Sequence, residues 1–201
     1  MKKILFLFVL SIISVFVSAQ DAVAILDRTS AALKAIGGMK VDFTIKTGDF
    51  SSKGYIKSKG NKFVLHLEEN IIWFDGETLW NYVLKNEEVN ITIPSQTEMS
   101  KLNPYAFLSF YKKGYKVKKG KGTAKEHEVI MEGDKTSQYK KVVIRIDKKT
   151  YYPAMIHMES AQANFVADIQ CDSYQKNQMF SDKTFQFDQK KYPDVDVIDL
   201  R

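Results

Sequence analysis

The dipeptide Asp75-Gly76 stands between two apolar, aromatic runs, Ile71-Ile72-Trp73-Phe74 and Thr78-Leu79-Trp80-Asn81-Tyr82. Asp and Gly tolerate the positive φ that both central residues of a tight type I′ turn require, so the pair predicts a hairpin. A two-residue loop pairs Phe74 with Glu77 and Trp73 with Thr78, and paired side chains share a face. One face then gathers Ile71, Trp73, Trp80, Tyr82 and Leu84, while Ile72, Phe74, Leu79 and Val83 mix with Glu77 and Asn81 on the other. A sheet wetted on one side reads apolar on one face only. This hairpin is apolar on one face and partly so on the other, so something must cover it.

The chain around the hairpin has the texture of an antiparallel meander. Val41, Phe43 and Ile45 alternate onto one face, as do Phe63, Leu65 and Leu67, and then Val89, Ile91 and Ile93. Further extended runs lie at 128–132, 140–147, 152–159 and 164–173, giving about ten strands at close spacing. The intervals are too short for a βαβ crossover. Ahead of the strands, Asp21 is placed to cap a helix running to Ile36, with Ala22, Ile25, Leu26, Thr29, Ala32, Leu33 and Ile36 on one stripe. Gly37-Gly38 is expected to end it as a left-handed cap. One insert breaks the meander: Asn103-Pro104 opens a short helix through Tyr105 to Tyr111, whose only polar side chain is Ser109, with another helical turn expected at 98–102. A helix apolar all round is covered, or covers something apolar. The tail 192–200 alternates and is expected to add a last strand.

Lys2-Lys3, the uncharged run Ile4 to Val17 and the small residues Ser18-Ala19 form a secretory signal peptide, so the mature chain is expected to start at Gln20. Residues 20–201 suit one domain without an internal boundary. The formal charge of +6 includes both leader lysines, and the other lysines are scattered apart from the run at 112–121. Nucleic acid would require a concentrated stripe, so no nucleic-acid partner is expected. The 112–121 run reads as a solvated strand and turn, with attraction to an acidic surface as the sharper alternative. Cys171 is the single cysteine and alternates onto the apolar face with Phe165, Ala167 and Ile169.

His66, His127 and His157 are isolated, and no zinc spacing, nucleophile elbow or phosphate loop occurs. His157 shares a strand face with Met155 and Glu159, opposite Ile156 and Met158. An enzyme, cofactor or metal is therefore not expected; a hydrolase using His157 or Asp168 is the outlying alternative. The chain does hold 13 Phe, 10 Tyr, 7 Met and 2 Trp. Aromatic-rich core explains most of them. A curved sheet under helical cover also makes an interior that a greasy ligand can enter.

Four stretches carry a resemblance that spans the mature chain. They are the helix followed by Val41-Asp42-Phe43-Thr44, then Ser58-Lys59-Gly60-Asn61-Lys62-Phe63, then Asp75-Gly76-Glu77-Thr78-Leu79-Trp80-Asn81-Tyr82, and Asn103-Pro104-Tyr105-Ala106-Phe107-Leu108. The chain resembles the LolA family of periplasmic outer-membrane lipoprotein carriers, and the Asp75–Tyr82 stretch is the specific part of the match. The resemblance implies an incomplete antiparallel β-barrel of ten to eleven strands, covered by the N-terminal helix and the short helical insert. It implies a periplasmic monomer that takes acylated lipoproteins from an inner-membrane ABC transporter to an outer-membrane acceptor. A lipid- or lipoprotein-sensing module of the same fold, of the envelope-stress regulator type, is the alternative.

On that resemblance the acyl cavity is expected from Phe43, Ile45, Phe63, Leu65, Leu67, Ile71, Trp73, Trp80, Tyr82, Met155 and Phe165. The lid is expected from Ile25, Leu33, Ile36, Leu102, Tyr105, Phe107, Leu108 and Phe110. Lys59 falls where the family has an Arg that bonds the lid, and Gly60 replaces the family's Pro. Lys keeps the charge but loses the planar fork that bonds several carbonyls at once, so the latch is expected to be looser.

Overall fold

The computed structural model describes residues 19–95, 98–99, 111 and 114–201. These form one α-helix, α1 (19–34), a helical turn at 98–99, three short 3-10 helices and twelve strands. The fold is mostly β and its strand order is open. The chain divides into two compact units, Met1–Leu33 with Phe107–Asp168, and Lys34–Ala106 with Ile169–Arg201.

The first unit holds α1 and the strands β7 (Tyr115–Lys119), β8 (Glu126–Gly133), β9 (Tyr139–Asp147) and β10 (Pro153–Ser160), with the first residues of β11 (Val166–Gln175). Val129 pairs with Ile144, Met131 with Val142, and Ile144 with Ile156, so these side chains share one face. Val129, Met131, Val142, Ile144 and Ile146 are fully buried there. The expected helix stripe is buried too, at Ala22, Ile25, Leu26, Thr29 and Leu33. Polar side chains on the helix flanks tie it to the strand ends. Asp21 meets Lys119 at 3.3 Å, and Arg28 donates to the Tyr151 hydroxyl over 2.9 Å. The helix already runs through residues 19 and 20, so Asp21 lies inside it and is not its cap.

The second unit orders its strands β12-β6-β5-β4-β3-β2-β1 and takes in the rest of β11. They are β1 (Met39–Thr47), β2 (Phe50–Lys59), β3 (Lys62–His66), β4 (Asn70–Phe74), β5 (Leu79–Val83), β6 (Glu88–Thr92) and β12 (Asp196–Asp199). Gly37 and Gly38 do not adopt the expected left-handed conformation. Gly38 is there for space: a Cβ would sit 2.2 Å from the carbonyl oxygen of Gln178, whose N–H donates to the Gly38 carbonyl over 2.9 Å.

The anchor hairpin forms with a different register. Phe74 pairs with Leu79, Trp73 with Trp80 and Ile71 with Tyr82, leaving a four-residue loop, 75–78. Asp75 does not take positive φ; Gly76 does, at 106°. The Asp75 carboxylate accepts from the N–H groups of Glu77 (3.1 Å) and Thr78 (2.9 Å), an Asx turn that widens the loop. The two-residue displacement leaves every side chain on its expected face, because the strand period is two.

The tail does form a strand, but β12 pairs parallel with β6, Val197 opposite Val89. A hairpin return would have forced an antiparallel pair. Here the chain between β11 and β12 first crosses the sheet, through residues 180–192, and so arrives at β6 running in the same direction.

Candidate functional site

Alternation along β1 to β5 sorts the second unit's apolar side chains into two sets. Val41 pairs with Ile56, which pairs with Leu65, which pairs with Ile72; Phe63 pairs with Phe74, and Phe74 with Leu79. This is the Phe63 face. Val64 pairs with Trp73 and Trp73 with Trp80, while His66 pairs with Ile71 and Ile71 with Tyr82. This is the Trp73 face. Both faces are dry: the neighbours Phe63 and Val64 are 2% and 5% exposed, and Trp73 and Phe74 are both buried.

The residues expected to line one cavity therefore do not share one. Phe43, Ile45, Phe63 and Leu65 belong to the Phe63 face, whereas Ile71, Trp73, Trp80 and Tyr82 look the opposite way. Leu67 lies just beyond β3, where its N–H donates to the Asn70 carbonyl. Met155 pairs with Arg145 on the face of β10 opposite buried Ile156. Phe165 precedes β11 and is 43% exposed.

The Trp73 face is closed by the C-terminal segment. Phe185 is fully buried against Val64, Ile71 and Trp73, with Phe180, Phe187, Tyr192, Trp80, Tyr82 and Leu84 packed around them. Trp73 meets Phe187 and Tyr192 edge-on at 5.7 and 5.9 Å, and Phe187 stacks on Tyr192. This stretch has no helix or strand period to mark it in the sequence. Its signal is the aromatic spacing Phe180, Phe185, Phe187, Tyr192 beside an aromatic face lacking cover. Lys59 does bond a cover: its Nζ donates to the Phe180 carbonyl over 3.0 Å. That carbonyl belongs to the C-terminal segment and not to the helical insert. A cleft of about 280 Å³ remains along this edge, between Tyr55, Lys57, His66 and Trp73 on the sheet and Lys183, Gln186 and Tyr192 on the segment. Tyr55 stacks on His66 at 4.8 Å, and burial, with the Lys57 charge, holds the His66 pKa below its usual value.

The Phe63 face is built differently. Along β1 its members pass from Met39, Val41 and Phe43, all buried, to half-buried Ile45. Leu65 and Ile72 are likewise half-buried. Phe43 lies across Gly54 of β2, where a Cβ would come within 2.7 Å of its ring, so glycine lets that ring lie flat on the strand.

Of the expected lid, Ile25 and Leu33 are buried in α1 and Ile36 is half-buried after it. Leu102, Tyr105, Phe107, Leu108 and Phe110 lie outside the described residues. The turn that opens the insert is present at 98–99, started by a capping box: the Ser95 hydroxyl accepts from the Glu98 N–H, and the Ser95 N–H donates to the Glu98 carboxylate over 2.8 Å. At its far end Tyr111 is buried and donates its hydroxyl to Asp27 of α1; burial and that carboxylate push the phenol up to about 12.

His157 engages two carboxylates, Asp168 at 2.8 Å through Nδ1 and Glu159 at 3.3 Å through Nε2, and Glu159 also meets Lys141. This is a hydrogen-bonded polar ladder on the face of β9 and β10 across the sheet from the buried residues. Burial pushes the Cys171 thiol up, the reverse of what a nucleophile needs. Among the described residues no group of three or more His, Cys, Asp or Glu is placed to hold a metal ion, and no helix is long and apolar enough to cross a membrane.

The family described as outer membrane lipoprotein carrier protein LolA matches residues 13–162, so the match ends before β11 and the C-terminal segment. None of the curated proteins matches by sequence. Among solved structures, an uncharacterized conserved protein from Thermus thermophilus is similar at TM-score 0.61 and 10% identity, over 88% of this chain and 97% of that one. A LolA superfamily protein from Nitrosomonas europaea aligns at TM-score 0.44 and 16% identity, over 85% and 98%. The Mycobacterium tuberculosis lipoprotein LppX aligns at 0.46 and 10%, over 82% and 99%.

Proposed function

We infer the function of this chain from its kinship, for it belongs to the outer membrane lipoprotein carrier protein LolA family. We propose that it binds the acyl chains of lipoproteins against the Phe63 face, without catalysis or a cofactor. Its cargo then travels as a soluble complex across the periplasm, from a releasing transporter in the inner membrane to an acceptor at the outer one.

One observation carries this reading. The second unit has two apolar faces, and its own C-terminal segment closes the Trp73 face, where Phe185 is fully buried. The other face, graded from buried Val41 and Phe43 to half-buried Ile45, Leu65 and Ile72, is not closed by that segment, and the ligand is placed at its half-buried end. Hydrocarbon needs such a surface. At about 0.8 kcal/mol per CH₂, one sixteen-carbon chain leaves a bilayer at a cost on the order of 10 kcal/mol. A carrier has to offer comparable burial and still let go.

The test mixes the purified protein with vesicles loaded with a triacylated lipopeptide and measures lipopeptide in the vesicle-free supernatant. The wild type is expected to extract it and Leu65→Glu, at the half-buried end of the face, to lose extraction by at least tenfold while keeping its far-UV spectrum. Failure of the wild type to extract, or extraction unchanged in Leu65→Glu but lost when Trp73 is substituted, would overturn the assignment.

A further inference from the structure

Phe50 is 75% exposed, at the tip of the β1–β2 hairpin. Other apolar side chains are exposed singly, such as Met179 and Ile93, but the position of Phe50 on the sheet sets it apart. Phe50 pairs with Thr47, Ser52 with Ile45, Gly54 with Phe43 and Ile56 with Val41, so Phe50 is on the same face as the proposed acyl-binding row. Along that face exposure rises toward the tip, from 4% at Val41 and 8% at Phe43, through half-buried Ile45, to Phe50. The face therefore ends at the hairpin tip on an exposed ring, with Thr47 and Ser52 between it and Ile45.

The hairpin is free along its β2 edge near the tip, while β1 lies against β11. The pairing of β2 with β3 begins only at Tyr55, opposite His66, so residues 50–54 of β2 extend beyond β3 while still laddered to β1. At the turn, Gly48 takes φ of 59°, which closes the loop in two residues and leaves Phe50 as the first residue after it. The opposite side of the finger carries Lys46, opposite Ser51, and Lys53, opposite Thr44. Lysine stems lie along apolar surface while their ammonium groups stay at headgroup level, and aromatic rings favour the same boundary.

We propose that the β1–β2 hairpin is a membrane-docking finger. Phe50 enters the headgroup–acyl boundary of a phospholipid bilayer, Lys46 and Lys53 stand among the headgroups, and Ile45 and Phe43 behind it, not Phe50 itself, take up the acyl chain that passes between bilayer and protein. The proposal deepens the carrier reading and rests on it for the direction of traffic. The membrane contact itself requires only the hairpin.

Two measurements on the full protein separate the two ideas. The first is sedimentation with vesicles of phosphatidylethanolamine and phosphatidylglycerol, without cargo. Phe50→Ala is expected to weaken vesicle binding about tenfold, and Phe50→Trp to retain it with a blue-shifted emission from the new indole. The second is binding of a monomeric, detergent-free lipopeptide in the absence of vesicles, which Phe50→Ala is expected to leave unchanged. Equal vesicle binding by wild type and Phe50→Ala, or an unshifted Phe50→Trp emission, would overturn the finger. Loss of soluble lipopeptide binding in Phe50→Ala would also overturn it, since Phe50 would then belong to the ligand site itself. A wild type that binds vesicles through Phe50 but never binds lipopeptide would keep the finger and sink the carrier reading.

Discussion

Lys59 donates from Nζ to the backbone carbonyl of Phe180 over 3.0 Å, so the last residue of β2 holds the start of the segment that covers the Trp73 face. Lys62, just past the turn, meets Asp182 at 3.0 Å and adds a second tie. Both links are exposed and contribute modestly to global stability, below about 1 kcal/mol each. Their effect is local. Lys59→Ala is expected to raise the rate of proteolytic cleavage within residues 176–184 several-fold while leaving the melting temperature within a few degrees. Lys59→Arg should restore protection, since its fork also reaches a carbonyl. Equal cleavage rates in all three proteins would contradict the latch.

Phe185 is the keystone of that cover, fully buried against Val64, Ile71 and Trp73. Phe185→Ala is expected to destabilise the protein by about 3–5 kcal/mol, the usual cost of deleting a buried Phe. It should also admit water to Trp73 and shift its emission to the red. Phe180 meets Phe185 edge-on at 5.9 Å but is only half-buried, so Phe180→Ala should cost less. A larger loss from Phe180→Ala would reverse that order.

Much of this was legible in the residues. Alternation found Val41-Phe43-Ile45 and Phe63-Leu65, and the helix stripe at Ala22, Ile25, Leu26, Thr29 and Leu33 is buried as spaced. The hairpin turn was found but not its width, because an Asx turn at Asp75 competes with the type I′ turn and a dipeptide cannot decide between them. What period cannot reveal is pairing between distant segments. The aromatics at 180–192 follow no helix or strand rhythm, so nothing local told that they lie on Trp73. That omission merged the Phe63 and Trp73 faces into one expected cavity. Met155 and Phe165, expected in the same cavity, lie elsewhere: the strand register puts Met155 beside Arg145.

Gly38 tests whether the cover is seated by backbone as well as by side chains. Its φ is one that any residue adopts, and only space forbids a side chain, with the Gln178 carbonyl 2.2 Å from where a Cβ would stand. Gly38→Ala must push residue 178 away and strain the hydrogen bond from its N–H. A cost of about 1–3 kcal/mol is expected, as for overpacking. Hydrogen exchange at the Gln178 amide should accelerate with it. A neutral substitution with unchanged exchange would show that the two segments part without cost.

The Asp75 carboxylate gives the hairpin a dependence on acid. Burial works to raise its pKa, yet the Thr78 N–H, the Gln186 side chain at 3.2 Å and the Glu77 N–H outweigh it, with Lys62 adding attraction, and the net value falls below the ordinary 3.8. A carboxyl lowered in the folded state contributes stability that is fully present above the unfolded value. That contribution fades as pH falls through 3.8 toward the folded pKa, because the proton then favours the unfolded chain. Asp75→Asn keeps an acceptor for the two N–H groups but cannot titrate. Denaturation followed from pH 7 to pH 2 should therefore fall less steeply for Asp75→Asn than for the wild type. Asp75→Ala removes the acceptor and is expected to lose about 1 kcal/mol at neutral pH. Identical pH profiles for wild type and Asp75→Asn would mean that the turn amides hold the neutral side chain as well as the charged one.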